Sequence, residues 1–140
     1  MKDNLKKLVV TIGIVSCFLF SLVVRADGYT DVNFNFDYSP INITKYTAPE
    51  YKYTTSPAYT YVKDMTPGRR ALFSLVFGDK RNSSYTDYVW IDEDNIWYCI
   101  SSNTVEDKGS GCTVRLKGVK EGGPSMYVSG WWSADSTTCK

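Results

Sequence analysis

The chain has 140 residues, 16 of them basic and 15 acidic, with no histidine and a formal net charge of +1. This near-neutral balance, without a basic stripe, leaves nothing to neutralise a run of phosphates and argues against a nucleic-acid partner. The missing histidine removes Ser-His-Asp and Cys-His nucleophile activation, and with it the His-containing zinc and copper sites.

The first 26 residues read as a secretory signal peptide. Lys2, Lys6 and Lys7 form a basic start, Leu8 to Val24 is a mostly apolar run, and Val24-Arg25-Ala26 offers a cleavage site before Asp27. An uncleaved anchor and lipidation at Cys17, within Ile14-Val15-Ser16-Cys17, are the alternatives. The expected product is a single secreted, extracellular β domain, residues 27–140, with no membrane attachment after cleavage. Losing Lys2, Asp3, Lys6, Lys7 and Arg25 leaves 12 basic and 14 acidic residues, a net charge of −2.

Val32 to Tyr38 alternates strictly, with Val32, Phe34, Phe36 and Tyr38 on one face and Asn33, Asn35 and Asp37 on the other, which predicts a half-buried strand. Ser39 to Pro57 carries Pro40, Pro49 and Pro57 and predicts an extended loop or poorly paired edge. Tyr46, Tyr51, Tyr53, Tyr59 and Tyr61 make a tyrosine belt through and beyond it, expected at the surface. Ala58 to Lys63 predicts a short strand and Pro67-Gly68 a turn. Ala71 to Phe77 is almost continuously apolar and too short for a typical helix, so it predicts a buried central strand.

Tyr85 to Ile91 and Asn95 to Ser101 predict two strands joined as a hairpin by Asp92-Glu93-Asp94. Cys112 to Val119 alternates, with Val114 and Leu116 inward and Thr113, Arg115 and Lys117 outward. Glu121 to Pro124 predicts a turn, and Ser125 to Ser133 the last strand. About seven short strands at this spacing predict an all-β fold, a small antiparallel β-sandwich, with a small barrel as the alternative.

Three cysteines follow the signal. Cys99 and Cys112 flank the turn-rich segment 103–111 and are the favoured disulfide. Cys112–Cys139 is the rival pairing, and three reduced thiols the remaining alternative. A leftover thiol stays free or joins two chains.

No phosphate-binding glycine motif and no C-x-x-C spacing occur, and no cofactor or metal is expected. Asp92, Glu93 and Asp94 are the one dense acidic cluster; they suit a solvated turn better than a glycosidase carboxylate pair or a calcium loop. Asn42-Ile43-Thr44 and Asn82-Ser83-Ser84 match the glycosylation sequon and are read as chance matches.

Four tryptophans, Trp90, Trp97, Trp131 and Trp132, all lie in the C-terminal half. Exposed aromatic faces stack on sugar rings, so Trp97, Trp131 and Trp132 are the candidate binding aromatics. Trp131 and Trp132 are neighbours and must point to opposite faces of a strand, one of them into the core.

Val32-Asn33-Phe34-Asn35-Phe36, Cys112 to Gly118 and Val128 to Ser133, placed after a signal, resemble a family of small secreted proteins of Gram-positive bacteria. Some of that family occur in systems resembling those of lactococcin-like bacteriocins. The resemblance implies an extracellular location and an all-β fold, and it supplies no site residues. The leading expectation is a non-enzymatic protein that binds a cell-envelope or glycan ligand at the cell surface. The alternatives are a bacteriocin-like antimicrobial protein and, last, a carboxylate-dependent hydrolase.

Overall fold

A computed structural model describes residues 30–139. Residues 1–26, read above as a signal peptide, and Cys17 among them lie outside the described residues. Nine strands and one short helix follow in chain order: β1 (Val32–Tyr38), β2 (Thr44–Tyr46), β3 (Glu50–Lys52), β4 (Ala58–Met65), β5 (Ala71–Phe77), β6 (Val89–Ile91), β7 (Ile96–Ile100), α1 (Thr104–Lys108), β8 (Cys112–Lys120) and β9 (Met126–Ser133).

The strands form two antiparallel sheets that share one core, a small β-sandwich in which no barrel closes. The first sheet has the order β1-β9-β4-β7. The second runs β2-β8-β5-β6, with β3 also paired to β8. Inward residues from both sheets meet in one cluster that includes Phe34, Phe36, Val62, Phe73, Leu75, Val114, Leu116, Val128 and Trp132. Phe34, Phe36 and Phe73 pack edge-on or tilted, with centroids 5.1 to 5.8 Å apart, the arrangement that ring quadrupoles favour. Gly118 makes room for them: a Cβ there would lie 2.7 Å from Phe73, 2.8 Å from Phe36 and closer still to the Tyr38 hydroxyl.

The strict alternations emerge as expected. β1 buries Phe34, Phe36 and Tyr38 and exposes Asn33, Asn35 and Asp37. β5 spans the seven residues of the apolar run, and β8 buries Val114 and Leu116.

The segment 39–57 takes the edge form of its expectation: it holds two short strands, β2 and β3, each paired only with β8. An edge strand needs only one hydrogen-bonded side, so the prolines fit around them. Two expectations need correction. The strand expected over 85–91 shortens to β6, with Thr86 making only an isolated bridge to Ser102. Second, β6 and β7 are not a hairpin. β6 pairs with β5 in one sheet and β7 with β4 in the other, so Asp92-Glu93-Asp94 crosses between sheets. Asn95 takes a positive φ of 58° at the end of that crossing, where its N–H donates to the Val62 carbonyl at 2.7 Å.

Candidate aromatic binding face

Register places the site. On the outer face of the first sheet, Asn33 of β1 lies opposite Trp131 of β9, Trp131 opposite Tyr61 of β4, and Tyr61 opposite Trp97 of β7. One cross-strand row thus runs over all four strands. Tyr61 and Trp131 stack with centroids 4.4 Å apart and planes 24° from parallel. Trp97 sits 4.7 Å from Tyr61 and 5.1 Å from Tyr59 at steep interplanar angles. It remains 55 % exposed, so its neighbours hold it while more than half its surface meets solvent.

A β-bulge sharpens this geometry. The β4–β9 register slips between Val62 and Asp64, which brings the Tyr61 carbonyl onto Gly130, where a Cβ would lie 1.9 Å from that oxygen. Only glycine allows so close an approach. Beyond the bulge, Asp64 faces Ser129, and Ser129 faces Asn35.

Hydrogen-bonding groups therefore flank the rings. Asn33 and Asn35 are exposed on β1. The Tyr61 hydroxyl donates to Asn95 Oδ1 at 3.3 Å, and the Tyr127 hydroxyl to Asp64 Oδ1 at 3.1 Å. That bond to Asp64 raises the Tyr127 hydroxyl above its ordinary pKa. Apolar ring surface beside amide, hydroxyl and carboxylate groups can grip the C–H and O–H faces of a sugar together.

Of the three expected aromatics, Trp97 and Trp131 meet on this face. Trp132 does not. It is wholly buried, because it pairs with Val32 and Thr60 on the inward side of β9. Trp90 lies on the other sheet, under the Arg70 guanidinium at 4.4 Å from the ring centroid. The tyrosine belt divides: Tyr59 and Tyr61 join the row, while Tyr46, Tyr51 and Tyr53 lie on or beside β2 and β3. The i, i+2 spacing of Tyr59 and Tyr61, and of Asn33 and Asn35, was the available signal for a shared face. What it lacked was which strands would be neighbours.

The disulfide is Cys99–Cys139, with Cα atoms 5.7 Å apart, and Cys112 is free. Neither pairing expected from the sequence forms. Cys99 lies beside Tyr59 on the outer face of β7, and the segment after β9 brings Cys139 to it. Cys112 instead lies near the Thr104 and Lys52 carbonyls, and burial pushes its thiol above the ordinary range.

The segment after β9 also carries a buried ion pair. Lys52 Nζ lies 3.0 Å from Asp135 Oδ1, with the side chains 1 % and 0 % exposed. Lys52 donates further to the Ser56 and Ala134 carbonyls. Asp135 accepts from the Tyr53 and Thr54 N–H groups and from the Thr54 hydroxyl. Every strong polar group of the pair is thus engaged, as burial demands.

Asp92, Glu93 and Asp94 are exposed on the β6–β7 crossing, beside Met65 and Pro67. Among the described residues, no group of three or more His, Cys, Asp or Glu could hold a metal ion.

No protein-family model, curated protein or solved structure matches this chain.

Proposed function

We propose that this chain is a secreted, non-enzymatic module that binds a glycan of the cell envelope through the outer face of its four-stranded sheet. One observation carries the reading. The row Asn33, Trp131, Tyr61, Trp97 gathers three aromatic rings from three strands and leaves the outermost ring open to solvent. Aromatic side chains in a small sandwich are normally spent on the core, and here Phe34, Phe36, Phe73 and Trp132 already fill it. A second aromatic cluster on the outside serves no core.

The mechanism is stacking with orientation. Trp97 takes the C–H face of a sugar ring. Asn33, Asn35, Asp64 and Tyr127 along the same sheet face exchange hydrogen bonds with hydroxyl groups. Strand pairing fixes the backbone that carries these side chains, which limits the ordering entropy lost on binding. The signal segment supplies the extracellular address.

Co-sedimentation with intact Gram-positive cells tests the reading. The protein pellets with the cells, and Trp97→Ala stays in the supernatant while remaining folded. Wild-type protein that stays in the supernatant, or a Trp97→Ala variant that pellets equally, would overturn it.

A further inference from the structure

A pocket of about 320 Å³ opens beside the exposed Trp97. Its walls are Tyr59, Trp97, the Cys99–Cys139 disulfide and Thr138. Two aromatic rings and two sulfurs make it chiefly apolar. Thr138, exposed at the rim, adds a hydroxyl and a peptide group. The pocket is continuous with the aromatic row, because Tyr59 and Trp97 belong to both.

A plain hexose presents hydroxyl groups all round its rim, and a hydroxyl placed against aromatic carbon and sulfur loses its water without gaining a partner. An acetamido group differs. Its methyl gains from apolar walls, and its amide can pair with a hydroxyl at the rim.

We propose that this pocket is a subsite for the N-acetyl group of an amino sugar, so that the face selects acetamido glycans over plain hexose polymers. The inference rests on the glycan-binding reading above and names the ligand class of that same face. The disulfide is then a wall of the binding site as well as a cross-link. It holds residue 139 against β7 and so places Thr138 across from Trp97. Burying one methyl and pairing one amide group is worth roughly tenfold in affinity.

Titration of the oxidised protein with chitotetraose and cellotetraose isolates the effect, since the two differ only in acetamido against hydroxyl at each ring. Chitotetraose binds about tenfold more tightly. Thr138→Phe occludes the pocket and abolishes that preference. Position 138 is exposed, and its backbone N–H bond to Ser136 Oγ survives the change, so folding is retained. Equal affinity of wild type for both tetramers, lost in Trp97→Ala, would overturn the acetamido subsite and leave the glycan-binding face standing. A preference that survives Thr138→Phe would place the selectivity outside this pocket and overturn the assignment. Binding of neither tetramer overturns the subsite too, and the co-sedimentation result then decides the broader reading separately.

Discussion

Trp131 and Trp132 are adjacent in the chain and occupy opposite sides of one strand: Trp132 is wholly buried between the sheets, and Trp131 stacks on Tyr61 at 4.4 Å outside them. The two side chains are chemically identical, so alanine substitutions separate core from surface. Trp132→Ala removes a central core ring and costs about 3–5 kcal/mol, measured by urea unfolding. Trp131→Ala costs less than half of that, and its effect is read in cell binding instead. Equal losses of stability would contradict the assigned faces.

The cysteines make a second, independent check. Non-reducing peptide mapping of the oxidised protein finds Cys99 joined to Cys139, with Cys112 the one free thiol among the described residues. The two bonded cysteines are 40 residues apart, and the chain-entropy model makes that link worth up to about 4 kcal/mol, which Cys139→Ser removes. Burial raises the Cys112 thiol, so less thiolate is present near neutral pH and alkylation is slower than for a model thiol. Denaturant restores the ordinary rate. Fast labelling of Cys112 in the native protein would exclude this environment.

Asp135→Ala leaves the Lys52 ammonium buried without its counter-charge, and three donors around the carboxylate lose their acceptor. Breaking such a pair from one side costs about 3–5 kcal/mol. Asp135→Asn, which keeps an oxygen acceptor in place, costs less. A midpoint of unfolding unchanged in Asp135→Ala would show that the pair does not hold the C-terminal segment.

Acid weakens a different region. Asp87 accepts a hydrogen bond from the Tyr85 hydroxyl and another from the Ser101 N–H, and Asp107 of α1 accepts from the Ser84 N–H and hydroxyl. These bonds hold both carboxylates below their ordinary range. A depressed folded-state pKa adds stability that is complete above the unfolded value of about 4 and is lost as pH falls through the folded value. The urea midpoint should therefore vary little through these two groups from pH 7 to 5 and fall toward pH 3. The double variant Asp87→Asn, Asp107→Asn has a lower midpoint at pH 7 and a smaller fall in acid. A fall of undiminished size in that variant would assign the acid sensitivity elsewhere.

Alternation of side chains was enough to locate β1 and β8 and to say which of their residues face inward, because a strand's two faces follow from a period of two, and the unbroken apolar run marked β5 as a buried strand. Absence of histidine, the near-neutral charge and the exposed Asn33 and Asn35 could be read the same way. The neighbours of each strand could not. β6 and β7 are separated by four residues yet belong to different sheets: β6 pairs with β5 and β7 with β4, so Ile91 and Ile100 enter the one shared core from opposite sheets. Trp132 rather than Trp131 became core because pairing with Val32 and Thr60 set the parity of β9. Cys99 found Cys139 rather than Cys112 because β7 lies at the edge of one sheet and β8 inside the other. Local pattern sets the direction of a side chain relative to its own strand. Which distant side chains then meet is decided only when packing the core selects one strand order.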